Sequence, residues 1–452
     1  MARQKILVIT DDAVGKRMAG PAIRAWNIAD ALADEHDVRL ASTRRAEASS
    51  ARFAVCEGSD RMLPGLAEGM DVIVTQGFTL KFRPWLARTG AKMLVDLYDP
   101  IHLETLEGES EAGPVEHARR LDGALDALRV QLSVGDFFVC ASERQRDLWL
   151  GHLSALGRVN LKTYQQDNTL RKLIDVAPFG IDPIGPPTGP AIKGVIDGIG
   201  VDDTVLLWAG GVYNWFDPVT LVQAVGDLAP THPRLKLLFM GTKHPSLDDL
   251  STRMLRSAIA VATERNLLGR TVFFREGWVP FDQRGTFLTD ADVGVSTHFL
   301  HAETAFSFRT RMLDYLWAGL PIVCTEGDAF ASLVADEGLG RVVPAVDRAA
   351  LRDAIAGLVD DPEAMAGARR RVAEVAPTYY WKTALAPIVD YCRDPWRAAD
   401  APKPPVIKAV RWRSGPTARR VDHLREYIRV NGWRRFLTRG TQRVLGRGRT
   451  AG

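Results

Sequence analysis

Residues 298–323 read HFLHAETAFSFRTRMLDYLWAGLPIV, and they predict a loop, a helix and a strand in succession. The helix ends near Gly319 and Pro321, because glycine is favoured just past a helix end and proline cannot continue a helix. The apolar run IVCT that follows is typical of a buried strand. The stretch therefore predicts one repeat of an α/β fold.

Charged side chains in this stretch suggest a binding site. Glu303 precedes the helix, and Arg309 and Arg311 lie at its start. Asp314 lies one turn before the helix ends. Acids and arginines in this arrangement suit a ligand that carries hydroxyl groups and a diphosphate. The alternative is a surface helix on which Arg311 and Asp314, three residues apart, form an ion pair in solvent.

The chain has 452 residues, of which 46% are hydrophobic and 25% are charged, and these values are typical of a globular protein with two domains. The first apolar run is short and acids follow it, which favours a buried strand over a signal peptide. No apolar run reaches the ~20 residues that span a bilayer. The cysteines are too far apart to indicate a zinc site or a disulfide framework, so we expect reduced core residues of a cytoplasmic protein: Cys56, Cys140, Cys324 and Cys392.

Residues 1–182 alternate apolar runs with helical periodicity, which predicts a parallel sheet covered by helices. The first run, KILVITD, leads into a glycine-bearing loop and a helix that begins near Gly20 and Pro21. Backbone N–H groups at such a turn can bind an anion or a sugar. The alternative is the ordinary strand-to-helix turn of any doubly wound domain.

Asp99 and His102 follow another apolar run, AKMLVDLYD. Ligands of parallel sheets bind beyond the carboxyl ends of the strands, where these two side chains are expected. An acid and a histidine at this place can orient a hydroxyl group or accept its proton. The alternative is that Asp99 and Pro100 only form a turn.

Residues 183–203 are rich in proline and glycine and have no periodic apolar face, which predicts an interdomain linker. Residues 204–375 contain a second series of βα repeats, and residues 376–400 contain a last helix. Two lobes joined by a linker enclose a cleft, where substrates commonly bind. The predicted fold is therefore α/β, with two Rossmann-like, doubly wound parallel-sheet lobes around a cleft.

The tail, residues 401–452, is strongly basic. It holds 14 Lys or Arg and 2 acids, a balance of 14 − 2 = +12, so residues 1–400 carry 3 − 12 = −9. Apolar residues recur among its arginines at near-helical spacing, which predicts a basic amphipathic helix. Residues 403–449 fit an anionic membrane surface, with docking on a partner or on the chain itself as the first alternative. Nucleic acid is the least favoured alternative, because the body of the chain is acidic.

Four stretches together resemble the family 4 group of GT-B glycosyltransferases, the glycosyltransferases group 1, which are retaining and metal-independent. They are KILVITDD with its loop, VAPFGID, EGWVPFDQRGTFLTDADVGVSTH, and the opening stretch with LDYLWAGLPIVCTEGD. The last is the most specific, because the family places Glu, seven residues and Glu before a helix that ends in an AxGxPVV-like sequence. The resemblance covers roughly residues 1–395, and it implies an acceptor-side first lobe, a donor-binding second lobe and a last helix that crosses back.

The resemblance implies roles for the opening stretch. Asp314 falls where the second Glu of the motif holds the nucleotide ribose, and a carboxylate keeps that capacity. Glu303 resembles the first Glu, which contacts the donor sugar, but it lies eleven positions before Asp314 instead of eight. The motif position itself is Phe306, so backbone N–H groups of Phe306, Ser307 and Phe308 are the alternative.

The donor diphosphate needs positive charge, and here the chain departs from the family. The family commonly has an Arg and, five residues later, a Lys, whereas the matching positions are Gly211 and Phe216. Burying an unpaired phosphate is costly, so other groups must balance it. The candidates are a lysine, the two arginines of the site helix and a glycine pair with close backbone N–H groups: Lys243, Arg309, Arg311, Gly210 and Gly211.

The family's first-lobe histidine follows the strand that here ends in LYDP, which marks Asp99 first and His102 second as contacts to a donor or acceptor hydroxyl. The mechanism drawn for these enzymes needs no separate base, because the leaving diphosphate helps to deprotonate the acceptor. No cofactor is expected beyond the nucleotide-diphospho-sugar co-substrate. Asp290 and Asp292 form an Asp-x-Asp at a helix-to-strand turn, and the resemblance assigns no metal to it.

The predicted function is transfer of a sugar, with retention, from a nucleotide-diphospho-sugar to an acceptor in the cleft. The basic tail favours a lipid-linked or cell-envelope glycan as the acceptor, and it favours a peripheral position on the inner face of the plasma membrane. A GT-B nucleotide-sugar epimerase is one alternative. A non-catalytic sugar-binding protein is another, and the missing Arg and Lys favour it.

Overall fold

The computed structural model describes residues 3–15, 18–108, 113–241, 252–277, 279–280 and 283–400. Two parallel sheets flanked by helices confirm the predicted α/β class with two doubly wound lobes. The first sheet has seven strands: β1 (Lys5–Thr10), β2 (Asp37–Ser42), β3 (Ala54–Glu57), β4 (Val72–Gln76), β5 (Lys92–Asp96), β6 (Phe137–Cys140) and β7 (Ile174–Val176). The second has six: β8 (Thr204–Trp208), β9 (Leu235–Phe239), β10 (Val272–Phe274), β11 (Val293–Ser296), β12 (Ile322–Thr325) and β13 (Gly340–Val343).

Helices cover both sheets. Those of the first lobe are α1 (Gly20–Leu32), α2 (Leu63–Ala67), α3 (Thr79–Phe82), α4 (Ile101–Glu107), α5 (Pro114–Val134), α6 (Glu143–Ala155) and α7 (Leu161–Gln166), with a 3-10 turn at Pro84–Arg88. Those of the second are α8 (Pro218–Leu228), α9 (Arg253–Glu264), α10 (Arg284–Thr289), α11 (Ala302–Phe306), α12 (Thr310–Trp317), α13 (Ala329–Asp336), α14 (Arg348–Val359) and α15 (Pro362–Val375). Among the described residues, no helix is both long and apolar enough to cross a membrane.

The strand order of each sheet shows where its direction of winding reverses. The first sheet runs β3-β2-β1-β4-β5-β6-β7, and the second runs β10-β9-β8-β11-β12-β13. The order therefore reverses between β1 and β4 and between β8 and β11. Strands such as β4 and β9 are buried along their whole length, which explains their continuous apolar runs.

The last described segment returns to the first lobe. It is divided into a 3-10 helix (Ala376–Tyr379), α16 (Trp381–Ala384) and α17 (Ala386–Arg393), so the single helix predicted over residues 376–400 was wrong. Pro377 and Pro387 lie in first-turn positions, because proline has no N–H to continue a preceding helix. Residues of α17, including Ile388 and Tyr391, pack in the first-lobe core with α1.

The segment VAPFGID forms the junction between the lobes. The backbone of Ile181 pairs with that of residues 379–381, so the returning chain lies directly on it. A Cβ added at Gly180 would come within 2.6 Å of the Trp381 ring, which explains the glycine. Residues 183–203 then form turns that lead to β8.

Candidate active site between the lobes

A cavity of about 250 Å³ lies between the lobes, next to the loops that follow β1 and β8. Each of these strands flanks the point where the strand order of its sheet reverses, and ligands of doubly wound sheets bind at such points. The first lobe contributes Gly20, Ile23 and Glu104, and the second contributes the loop after β8 and the start of α12. The cleft therefore brings together the glycine-bearing loop and the opening stretch of the sequence.

Buried side chains fix the position of the start of α1. Gly20 begins α1 and lines the cavity, and the next carbonyl, that of Pro21, accepts a hydrogen bond from the side chain of Gln76 (2.9 Å). One turn on, the buried Arg24 makes two hydrogen bonds to Asp96 (2.5 and 2.9 Å). Arg24 also donates to the carbonyl oxygens of residues 177 and 178, so it ties α1 to the interlobe junction.

Gly210 and Gly211 line the second-lobe side. Gly210 has φ +99°, a conformation that L side chains rarely adopt. The carbonyl oxygen of Gly211 accepts a hydrogen bond of 2.6 Å from Nη2 of Arg311. Gly211 therefore binds a buried arginine that comes 100 residues later in the chain.

Among the described residues Arg311 forms no ion pair with a carboxylate, whereas Arg309 and Arg284 of the same cavity each form at least one. The guanidinium carbon of Arg311 lies 4.3 Å from the Trp208 ring centroid and 4.1 Å from that of Phe216. Within the described residues its Nη1 has no hydrogen-bond partner, although only 7% of the residue is exposed. Burial lowers the pKa of Arg311 to about 10, so the side chain stays charged at neutral pH.

Arg309 also lines the cavity, but its charge is already compensated. It donates two hydrogen bonds to the Glu303 carboxylate, of 2.7 and 2.6 Å, in the bidentate geometry typical of strong Arg pairs. Glu303 is 1% exposed and lies behind Arg309 rather than at the cavity wall. Arg309 therefore separates Glu303, the candidate for the first Glu of the family motif, from the cavity.

Asp314 lines the cavity on α12 and pairs with Arg284, which begins α10, at 3.1 Å. Burial is the largest cause that raises the pKa of this carboxyl, and Arg284 and Arg311 oppose it. The alternative of a surface helix with an Arg311–Asp314 pair in solvent was wrong. Arg311 is buried and turned to the glycine loop, and Asp314 has a different partner.

The backbone candidates Phe306, Ser307 and Phe308 differ in what they contact. Phe308 lines the cavity and packs on Phe179 of the interlobe junction. Phe306 ends α11, and its carbonyl oxygen accepts a hydrogen bond from Gln145 of the first lobe (2.9 Å). The N–H of Ser307 donates to the carbonyl of Thr304. Only Phe308 of the three reaches the cavity.

The two first-lobe candidates do not line the main cavity. Asp99 borders a small adjacent void with Gly77 and Gln131, and burial together with the charge of Glu104 raises its pKa well above the usual range. His102 packs against the rings of Trp149 and His152, with ring centroids 5.9 and 5.6 Å away. Burial lowers the pKa of His102 to about 4, so it is neutral at pH 7.

The two acids of the Asp-x-Asp bind backbone N–H groups and a lysine of the protein itself. Asp290 accepts backbone hydrogen bonds from residues 191, 192 and 193 at 2.6–2.9 Å. Asp292 accepts one from Val205 and pairs with Lys193 at 2.7 Å. In the described ranges, no cluster of three or more His, Cys, Asp or Glu is placed to hold a metal ion. Lys243 and the tail lie outside the described residues.

The sequence interpretation missed several residues of the cavity, among them Arg284, Tyr213 and Glu104. Arg284 stands in EGWVPFDQRG, a stretch already noted for the family resemblance, so its motif was a usable signal. Tyr213 follows the glycine pair directly. Glu104 lies two residues after His102 on the short helix α4, and no pattern in the sequence predicts that it lines the cavity.

Comparison with known proteins agrees with this geometry. Residues 203–361 match the family model of the glycosyl transferases group 1. The resemblance to this group is confirmed. The matched range contains the glycine pair, Arg284 and the whole opening stretch, and therefore the second-lobe side of the cavity.

Two kinds of relative extend the match. A phosphatidyl-myo-inositol mannosyltransferase of Mycolicibacterium smegmatis is 30% identical over 113 residues, which is 25% of this chain and 28% of that protein's length. Sucrose-phosphate synthase from Thermosynechococcus elongatus has TM-score 0.62 at 18% identity, covering 86% of this chain and 98% of that one. Anabaena HepE in complex with UDP-glucose has TM-score 0.61 at 15% identity, covering 86% and 100%. These structures show that the chain has the GT-B fold.

Proposed function

We propose that the chain is a glycosyltransferase that moves a sugar from a nucleotide-diphospho-sugar to an acceptor in the interlobe cleft, with retention and without a metal ion. The observation that carries the proposal is Arg311. It contacts Gly211 and Phe216, the two positions where the family has its Arg and Lys. The positive charge of Arg311 therefore lies beside both positions, although Arg311 belongs to α12 and not to the loop after β8.

The free side of Arg311 suits a diphosphate. Its Nη1 is buried without a partner among the described residues, and such a group costs free energy until a ligand binds it. The first turn of α12 also lines the cavity at Thr310, and helix N-termini favour anions. Gly20 brings the start of α1 to the same cavity from the first lobe. Together these groups supply the positive potential that a metal ion supplies in other transferases.

Asp314 suits the ribose of the nucleotide. Arg284 contacts one carboxylate oxygen, Oδ1, and the second oxygen is available to accept a hydroxyl hydrogen bond. The mannosyltransferase relative and the UDP-glucose complex of a GT-B neighbour support a nucleotide-sugar donor. A lipid-linked or cell-envelope glycan is the proposed acceptor, because the mannosyltransferase is named for a phosphatidyl-inositol and residues 403–449 are basic and amphipathic.

Native mass spectrometry with a mixed panel of UDP-, GDP-, ADP- and dTDP-sugars tests the proposal. We expect the protein to retain one nucleotide sugar and to release the nucleoside diphosphate when an acceptor glycan is added. Free sugars and nucleosides serve as the controls. Retention of no nucleotide sugar would contradict the proposal. Conversion of the donor without an acceptor, followed by NMR, would indicate the epimerase, and retention without turnover would indicate the sugar-binding protein.

A further inference from the structure

Tyr213 occupies the space beside Gly211, the position where the family commonly has its arginine. A Cβ added at Gly211 would lie 3.1 Å from the hydroxyl oxygen of Tyr213 and 3.1 Å from its ring carbon Cζ. Most contacts of a Cβ atom are longer than this, so a side chain at position 211 would displace the tyrosine ring. The glycine therefore gives Tyr213 its place at the wall of the cavity.

Aromatic neighbours fix the orientation of the Tyr213 ring. The ring stacks on that of Trp215, with centroids 4.8 Å apart and an interplanar angle of 17°. It also packs against Phe216, with centroids 6.1 Å apart, and the Phe216 ring lies 4.1 Å from the guanidinium carbon of Arg311. Packing of this kind restricts the ring, so the Tyr213 hydroxyl has a defined position close to the free side of Arg311.

The hydroxyl of Tyr213 is available to a ligand. In the part of the chain that the structure describes, it makes no hydrogen bond. Burial, and then the negative charge of Glu104, raise the pKa of Tyr213 to about 12, and Arg311 opposes the shift. The hydroxyl therefore stays protonated at neutral pH, and it can both donate and accept a hydrogen bond.

The charges around this hydroxyl decide which part of a nucleotide sugar fits beside it. Glu104 of the first lobe lines the same cavity, and its charge acts on Tyr213 more strongly than that of Arg311 does. A carboxylate repels a phosphate, whereas a sugar hydroxyl can donate to a carboxylate and accept from a phenol. The phosphates therefore fit nearer to Arg311, and the sugar bonded to them fits beside Tyr213.

The acid that the family resemblance assigns to the donor sugar does not line the cavity. Glu303 makes two hydrogen bonds with Arg309 and lies behind it. The sugar therefore needs another polar contact. A hydroxyl in a fixed position can supply this contact, and it can also distinguish between sugars, because a sugar that lacks the matching hydroxyl leaves a buried polar group unpaired.

We propose that Tyr213 binds the transferred sugar of the donor through its hydroxyl and thereby contributes to the choice of sugar. This role rests on the proposed function. It assigns to the loop after β8 a contact that the family takes from a glutamate. The aromatic ring of Tyr213 holds the hydroxyl in place, and Gly211 provides the room for the ring.

The test compares Y213F with Y164F, which removes the hydroxyl of a tyrosine on α7 outside the cavity. The nucleotide sugar that the panel identifies and its nucleoside diphosphate are each titrated into the full-length wild-type protein and both variants, without acceptor. We expect Y213F to bind the nucleotide sugar about fivefold to 150-fold more weakly, because a buried sugar hydroxyl loses its partner. It should bind the nucleoside diphosphate with wild-type affinity, and Y164F should bind both like the wild-type protein.

Deoxy analogues of the same nucleotide sugar identify the bound hydroxyl. For one analogue, Y213F and the wild-type protein should bind with equal affinity, because neither complex contains the hydrogen bond. Wild-type affinity of Y213F for the intact nucleotide sugar would overturn the role of Tyr213. An equal loss of affinity for the nucleoside diphosphate would also overturn it, because the hydroxyl would then contact the diphosphate.

Two further results separate the possible causes of failure. Y213F should fold like the wild-type protein, because the hydroxyl makes no hydrogen bond within the described residues, and circular dichroism measures this. If the wild-type protein retains no nucleotide sugar, the proposed function itself fails. If it retains one and Y213F retains it equally well, only the role of Tyr213 fails.

Discussion

Arg309 and Arg311 are two residues apart, both line the cavity, and they are only 6% and 7% exposed. Their partners differ. Arg309 makes two hydrogen bonds to the carboxylate of Glu303, a pair buried on both sides. Arg311 makes one hydrogen bond to a neutral carbonyl and otherwise faces the rings of Trp208 and Phe216.

From this difference we infer that Arg309 is a structural cation and that Arg311 is the cation available to a ligand. The charge of Arg309 is neutralised within the protein, so another anion beside it gains little. The charge of Arg311 has no protein counter-ion among its described contacts, and its lowered pKa shows the cost of holding it there. A ligand with negative charge offsets that cost. The two side chains are similar in burial and close in sequence. Only their interaction partners distinguish them.

R309M gives the largest expected effect in this comparison. The substitution leaves the Glu303 carboxylate buried without its partner, so the free energy of unfolding should fall by about 3–5 kcal/mol. Urea unfolding measures this value. The double variant E303Q/R309M removes the charge from both partners and should recover most of the loss. A single variant as stable as the wild-type protein would show that the pair is not what holds α11 to α12.

F216L gives the smallest expected effect and concerns both arginines. The Phe216 ring centroid lies 4.1 Å from the guanidinium carbon of Arg311 and 4.9 Å from that of Arg309. Leucine keeps apolar bulk but removes the cation–π contribution, about 0.5–1 kcal/mol, so donor affinity should fall about twofold to fivefold. Calorimetric titration measures this change. Unchanged donor affinity would show that the ring does not help to position Arg311.

The sequence predicted the parts of the fold and site that depend on local pattern. Apolar runs separated by helical periodicity gave the two parallel-sheet lobes, because strands buried on both faces have continuous apolar sequence. Motif spacing placed Arg311 and Asp314 on one helix. The crossing segment was predicted as one helix because the apolar periodicity continues through Pro387, although proline forces a new helix there.

The remaining features depend on contacts between distant segments. Glu303 was a site candidate from its position, but its partner Arg309 decides that it lies behind the cavity wall. His102 was a candidate because it follows a strand end, yet its ring turns to Trp149 on α6. Glu104 was missed because only the approach of the second lobe places a cavity in front of it. The roles of these residues in catalysis stay predictions.

The most direct test of the central claim compares a nucleoside diphosphate with its nucleoside, titrated into wild-type protein, R311M and the surface control R341M. Arg311 is expected to bind the diphosphate, and a hydrogen bond to a charged group contributes about 1.5–3 kcal/mol. R311M should therefore bind the nucleoside diphosphate about tenfold to 150-fold more weakly, bind the nucleoside with unchanged affinity, and differ from R341M in this respect. Equal binding of the nucleoside diphosphate by R311M and the wild-type protein would contradict the account.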